Sequence, residues 1–326
     1  MIIAAYEVRG DEQADFRYWE EKLGLTIRYY TEPLSKENLS TAEGCDAITI
    51  LGHSHMNQEV LDGMKAMGIS FLATRTIGYN HIDLEYAKKI GVRVSNSHYA
   101  PNGVAEYTIM LILMSLRHYK QALYRGNVND YSLQGLQGKE LRNLTVGIVG
   151  TGKIGYQVIE NLQGFGCRIL AYDTFQRNDI KEKAKYVNLE TLYKECDIIS
   201  LHTPLLDSTY HMIDKEVLAK MKNGVVLINC ARGELMNIPD IIEGVESTKI
   251  GALGLDVFEK EDGIYHEDRR TDIISNRDMA YLRQFPNVTM TQHMAFYTDA
   301  AVSSMVEGAI LSLDSFYRTG NSGYEI

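Results

Sequence analysis

The feature that most restricts the fold is an alternation. Short runs rich in β-branched residues are separated by longer stretches of helical spacing along most of the 326 residues. This is the pattern of βαβ units, which close into parallel sheets covered on both faces. Two series separate. The first predicts strands at Ile2 to Tyr6, Ala47 to Leu51, Ser70 to Thr74 and Val92 to Ser95, with helical segments such as Asn57 to Met67 between them. The second begins after the polar, glycine-bearing stretch Gln134 to Arg142. It predicts six strands, at Thr145 to Val149, Arg168 to Tyr172, Asp197 to Leu201, Val225 to Asn229, Ile250 to Leu255 and Val288 to Thr291. The expected fold class is α/β, with two doubly wound parallel-sheet domains, and the length gives each domain its own core.

Three segments lie outside this alternation. Ala105 to Leu116 reads as a helix joining the two series, and Ile109 to Met114 is apolar on every face, so it demands burial all round, within one chain or with a partner chain on one side. Asp299 to Tyr317 has helical spacing through Val302, Met305, Val306, Ile310 and Leu313; with the second sheet complete, this helix is expected to return to the first domain. Lys260 to Asp278 is highly charged with little periodicity and reads as a surface excursion.

Charge and composition exclude several classes of function. With 33 Lys+Arg against 43 Asp+Glu the net charge is −10, which offers no broad basic field to nucleic acid or anionic membranes. An anionic substrate therefore needs a local arginine site. The longest apolar-rich stretch, Tyr107 to Leu116, is bounded by Glu106 and Arg117 and is shorter than the ~20 residues that span a bilayer. Glu7 interrupts the start before a signal-peptide core forms, so cytoplasm is the expected compartment. Cys45, Cys167, Cys196 and Cys230 have no C-x-x-C spacing and read as free thiols, with no disulfide and no zinc site.

The chemistry gathers at strand ends. The first strand of the second series runs into Gly150-Thr151-Gly152-Lys153-Ile154-Gly155, followed by a helical pattern through Val158, Ile159 and Leu162. Between strand and helix, these glycines allow a tight turn, backbone approach to a pyrophosphate and close helix packing, the Rossmann arrangement for a dinucleotide. The bland alternative is a structural turn. Asp173 ends the next strand 18 residues beyond Gly155, close to the ~20 expected of the acid that accepts from the adenosine ribose. That position selects NAD, because two charges at ~4 Å interact by about 4 kcal/mol at an effective dielectric of 20, against the 2′-phosphate of NADP. Arg177 lies near enough in sequence to relax this preference.

Later strand ends offer His202-Thr203-Pro204, Cys230-Ala231-Arg232-Gly233, Asp256 and Gln292-His293. Arg232 in that place clamps a carboxylate and polarises a carbonyl, or is merely a salt-bridged strand-end arginine. His293 has the chemistry of a general acid or base, or is a structural histidine. Glu261 is the nearest carboxylate candidate to orient it.

Taken in order, these motifs resemble the D-isomer-specific 2-hydroxyacid dehydrogenases, and more narrowly their D-lactate dehydrogenase branch, over nearly the whole chain. The resemblance rests on Tyr6 to Arg9, Thr74 to Asp83, Tyr99 to Asn102, Val146 to Gly155, Asn229 to Gly233, Gly254 to Glu261 and His293 to Thr298. It implies that Arg232 binds substrate carboxylate and carbonyl, that His293 is the acid/base, and that Glu261 favours the charged histidine. It assigns the amides of Ile77 and Gly78, with Tyr99, to the substrate carboxylate. Asp256 goes to the nicotinamide side, and Thr203, Pro204, Cys230 and Ala231 line the cofactor beside the Gly150 to Gly155 turn. It also implies a flavodoxin-like substrate domain of residues 1–100 and 297–326, hinged on either side of a Rossmann NAD-binding domain of residues 101–296, and a homodimer through the joining helix.

The implied activity is NADH-dependent reduction of pyruvate to D-lactate. Larger 2-oxo acids such as phenylpyruvate or 2-oxoisocaproate are the alternative substrates, and a non-catalytic NAD(H)-sensing protein like the co-repressors of this fold is the alternative of another class. Formate oxidation is disfavoured, since the formate enzymes carry glutamine where this chain has Glu261. Two departures stand out. Gln292 and Met294 flank the histidine where many relatives have Thr-Pro-His-Thr or Thr-Pro-His-Ala. Gly52-His53 replaces the aromatic or glutamine of several lactate enzymes and is more similar to the vancomycin-resistance lactate dehydrogenases. His53 and His55 have no third metal ligand.

Overall fold

The computed structural model describes residues 1–326. In chain order the elements are β1 (Ile2–Ala5), α1 (Gln13–Leu23), β2 (Thr26–Tyr29), β3 (Ala47–Ile50), α2 (Gln58–Ala66), β4 (Phe71–Thr74), α3 (Leu84–Ile90) and β5 (Arg93–Ser95). Then come α4 (Asn102–Leu116), α5 (Tyr119–Asn127), β6 (Thr145–Val149), α6 (Lys153–Gln163), β7 (Arg168–Tyr172), β8 (Lys185–Tyr186), α7 (Leu189–Glu195), β9 (Ile198–Leu201), α8 (Lys215–Lys220) and β10 (Val225–Asn229). The chain closes with α9 (Ile238–Glu246), β11 (Ile250–Leu255), α10 (Arg277–Leu282), β12 (Val288–Met290) and α11 (Asp299–Thr319). Helix starts are set by local chemistry: the side chains of Asn57, Asp83, Asn188, Asp214, Asn237 and Thr298 each accept an otherwise orphaned amide of the first turn.

Two compact units result, Met1–Ala100 with Tyr297–Ile326, and Pro101–Phe296. The first holds a five-stranded parallel sheet in the order β2-β1-β3-β4-β5, which is the flavodoxin-like order. Side chains alternate across it. Ala4, Tyr6, Ile48, Ile50 and Leu72 face α2 through Val60, Leu61 and Met64. Ile3, Ala5, Ala47 and Ala73 face Phe16 and Trp19 of α1 and Val306, Ile310, Leu313 and Phe316 of α11. The last helix thus returns to complete the first unit's core, as expected with the second sheet already complete.

The second unit holds a seven-stranded parallel sheet in the order β12-β11-β10-β9-β6-β7-β8, the Rossmann order with one further strand. Leu192, Leu218, Ile241 and Val245 cover one of its faces. Two strands go beyond the sequence prediction, which gives four and six. Both β2, where Ile27 alone is buried, and the two-residue β8 are edge strands that need no apolar run. Burial of α4 within the single chain is incomplete. Val104, Ala105, Thr108, Leu111, Ile112 and Leu116 are buried, but Met110 is 38% exposed and lies with Leu113, Met114 and Arg117 along an open apolar groove. No helix is long and apolar enough to cross a membrane.

Candidate active site

The turn after β6 is shaped by its glycines. Gly150 has φ +94°, and a Cβ there would stand 2.6 Å from the His202 carbonyl. A Cβ on Gly155 would stand 2.0 Å from the Gly150 oxygen, so α6 starts pressed against the turn. Around the corresponding point on Gly152 there is open space, where a pyrophosphate meets backbone alone. The first amides of α6, at Lys153 and Ile154, lack intrahelical acceptors and carry the positive end of the helix dipole. The residues present fit a dinucleotide.

Asp173 follows β7. Its Oδ2 accepts from the Thr151 amide at 2.6 Å and hydroxyl at 3.1 Å, and its Oδ1 from the Phe175 amide at 3.0 Å. Burial acts to raise its pKa, but these hydrogen bonds together outweigh it and hold the carboxyl below its ordinary value. At the end of β9, burial pushes His202 down to about 4, so the ring is neutral, 2.9 Å from the Ser200 hydroxyl. It is a spacer beneath the glycine turn, with Thr203 and Pro204 leading the chain away.

Beyond β10, the Asn229 side chain accepts from the Ala231 amide at 3.0 Å and donates to the Arg232 carbonyl at 2.8 Å, fixing a tight turn. Gly233 presses on the Phe258–Glu259 backbone, where a Cβ would meet Phe258 carbon at 2.1 Å. Arg232 is half-buried; its Nη1 donates to the Ala231 carbonyl at 2.7 Å, and no carboxylate pairs with it. The salt-bridge reading therefore falls away. Burial, foremost, raises the Cys230 thiol, so this neighbour is no nucleophile.

Asp256 ends β11 almost fully buried. Its carboxylate accepts from the Thr291 hydroxyl at 2.7 Å and from the Met294 and Ala295 amides at 3.0 and 2.8 Å, while its carbonyl accepts from the His293 amide at 2.7 Å. The whole turn bearing His293 is thus tied to β11, and His293 is held at φ +51°. Glu261 turns back to the same place. Its Oε2 accepts from the Phe258 amide at 2.7 Å and its Oε1 lies 2.5 Å from Nδ1 of His293. A carboxylate only accepts, so Nδ1 carries the hydrogen and Nε2 is left for chemistry.

One residue of this group escapes sequence reasoning. His266 Nε2 donates to the His293 carbonyl at 3.1 Å, and its ring centroid is 6.1 Å from that of His293. The segment Lys260 to Asp278 is therefore not merely a surface excursion: it buries Tyr265 in the core and brings His266 to the catalytic candidate.

In the first unit, the Ile77 carbonyl accepts from the Asn96 side chain at 2.8 Å and the Gly78 carbonyl from the Thr76 hydroxyl at 2.6 Å. Their amides have no acceptor within the protein. The strand ends here are locked by a buried network. Arg75, 0% exposed, donates to Glu12 at 2.8 Å and to the Tyr6 and Glu7 carbonyls at 2.9 and 3.1 Å. Glu7 in turn accepts from the amides of Leu51, His53 and Ser54.

A parallel Rossmann sheet with a dinucleotide turn, an unpaired arginine and a carboxylate–histidine pair at its carboxyl edge defines an NAD-dependent oxidoreductase. Comparison with known proteins agrees. The profile of the D-isomer specific 2-hydroxyacid dehydrogenase NAD-binding domain matches residues 109–295. An aromatic 2-oxoacid reductase of Clostridium sporogenes is 45% identical over 322 residues, 98% of this chain and 97% of that protein. The structure of a D-2-hydroxyisocaproate dehydrogenase matches with a TM-score of 0.91 at 33% identity, over 100% of this chain and 99% of that one. That of a D-lactate dehydrogenase with NAD+ from Lactobacillus jensenii gives 0.87 at 30% identity, over 100% and 99%. The chain belongs to the D-isomer-specific 2-hydroxyacid dehydrogenase family, in its D-lactate dehydrogenase branch, and its cofactor is NAD.

Proposed function

We propose that this enzyme reversibly reduces a 2-oxo acid to the D-2-hydroxy acid, preferring a large aromatic side chain such as that of phenylpyruvate. One observation carries the chemistry: an arginine without an ion-pair partner follows β10, beside the Glu261–His293 pair that follows β11 and β12. NADH, when bound, supplies hydride to the carbonyl carbon. Arg232 holds the substrate carboxylate through two parallel hydrogen bonds and stabilises charge developing on the carbonyl oxygen. His293 delivers the proton from Nε2, while Glu261 orients the ring through Nδ1. In oxidation each step reverses and neutral His293 takes the hydroxyl proton.

In this reading the unit of residues 1–100 and 297–326 is the substrate domain, and the amides of Ile77 and Gly78, with Tyr99, contribute to carboxylate recognition. Gly150, Gly152, Lys153, Ile154 and Gly155 take the pyrophosphate, Asp173 the adenosine ribose, and Thr203, Pro204, Cys230 and Ala231 the cofactor's remaining length. Asp256 serves the nicotinamide side through the His293 turn that it ties down.

The aromatic preference is supported by the 45% identity to the Clostridium reductase. Pyruvate is the second reading, favoured by the lactate enzyme that aligns over the full chain. Measuring kcat/KM with NADH across pyruvate, 2-oxoisocaproate and phenylpyruvate, with chiral analysis of the products, separates them. We expect phenylpyruvate to exceed pyruvate at least tenfold. The reverse order makes the enzyme a D-lactate dehydrogenase, and an L-product or no turnover overturns the reading.

The exposed apolar stripe of α4, with Met110 and Met114, supports a homodimer formed through this helix. Light scattering of the natural chain and of Met110→Glu is expected to give a dimer and a monomer.

A further inference from the structure

Arg177 lies four residues beyond Asp173, where an arginine accommodates the 2′-phosphate of NADP in folds of this kind. Its backbone is linked to the Asp173 site through two hydroxyls. The Arg177 amide donates to the Tyr186 hydroxyl at 3.2 Å, that hydroxyl lies 2.8 Å from Thr151 Oγ1, and Thr151 donates to Asp173 at 3.1 Å. The side chain goes elsewhere. Its Nε and Nη2 pair with the two carboxylate oxygens of Asp179 at 3.0 and 2.6 Å, and its Cζ lies 4.4 Å from the centre of the Tyr156 ring. The other cation at this ring, Lys183, is likewise occupied, by Glu160 and by the Tyr156 hydroxyl. The carboxylate takes two of the fork's five N–H donors and offsets its charge, and the aromatic face fixes its plane, so the guanidinium is held away from a phosphate placed beside Asp173.

We propose that Asp179 is a second determinant of NAD selectivity: it holds Arg177 in a parked position over Tyr156 and so suppresses a latent 2′-phosphate site beside Asp173. Two carboxylates then act against NADP by different means. Asp173 repels the phosphate directly, whereas Asp179 withdraws the cation that would receive it. The inference rests on the reading of Asp173 as the ribose carboxylate, and the two are separable by experiment.

The test uses full-length protein and two probes, adenosine 2′,5′-bisphosphate and adenosine 5′-monophosphate, with dissociation constants from calorimetry. It compares the natural chain, Asp179→Asn, Asp179→Ala and Arg177→Ala/Asp179→Asn, each also on an Asp173→Ser background. Asp179 is exposed, so the variants keep the fold. Freeing Arg177 is expected to tighten the 2′,5′-bisphosphate at least fivefold while moving the 5′-monophosphate less than twofold, and the gain disappears when Arg177 is also removed. Catalytic efficiency with NADPH rises in parallel. Unchanged bisphosphate binding in both Asp179 variants and both backgrounds, or a gain that survives loss of Arg177, overturns the proposal. If Asp173→Ser leaves NADH binding intact while Asp179→Asn gives the Arg177-dependent gain, the ribose reading fails and this one stands.

Discussion

At the scale of single residues, the enzyme depends on a few carboxylates whose oxygens are filled by known donors. Glu261 divides its two oxygens between the Phe258 amide and Nδ1 of His293, so its charge lies directly against the ring. This contact fixes the tautomer and the orientation of the imidazole. Glu261→Gln keeps the shape but loses the charged acceptor, and kcat for 2-oxo acid reduction is expected to fall about 10²-fold with little change in NADH affinity. An unchanged kcat would remove Glu261 from this role. The buried Arg75–Glu12 pair has a different function: both side chains are 0% exposed, and the guanidinium also holds the carbonyls after β1. Leaving one member of such a pair alone in the interior typically costs about 3–5 kcal/mol. Glu12→Gln and Arg75→Met are expected to lower the stability of the first unit by amounts of that order in urea unfolding, with the double variant less than additive.

At the scale of elements, α11 seals one face of the first sheet, with Ile310 and Leu313 fully buried and Phe316 stacked on Phe71 at 5.3 Å. Leu313→Ala is expected to cost about 2–5 kcal/mol, read as a lower midpoint in denaturant with little change in NADH affinity. This helix was legible by its spacing, and the central strands because burial on both sides leaves continuous apolar runs, as in Val225–Asn229 and Thr145–Val149. Thr26–Tyr29 and Lys185–Tyr186 were not, since an edge strand is held by backbone hydrogen bonds that any side chain permits. The same distinction runs through the candidate site. The glycine turn and Asp173 are local and readable by spacing. The Glu261–His293 contact joins residues 32 apart, and the sequence suggested it only as a strand-end candidate until the family resemblance supported it. The His266 contact with the His293 carbonyl, and the Arg75–Glu12 pair 63 residues apart, have no periodic signature at all.

At the scale of the whole molecule, the net charge of −10 leaves substrate recognition to isolated cations such as Arg232 rather than to a general field. The two units differ in how they are encoded. Pro101–Phe296 is continuous, whereas the first unit is assembled from both ends of the sequence. A fragment of residues 101–296 is therefore expected to fold alone and bind NADH, shown by a shift in its melting temperature with added cofactor. Residues 1–100 alone are expected to stay unfolded by circular dichroism until a peptide of residues 297–326 is supplied. During synthesis this arrangement sets an order of events. Ribosomes make roughly 5–20 residues per second, so the Ile3, Ala5, Ala47 and Ala73 face waits about 10–50 s for Val306, Ile310 and Leu313 to emerge. The nascent protein thus matures from its middle outward, and its oldest residues are the ones that most need a holding chaperone.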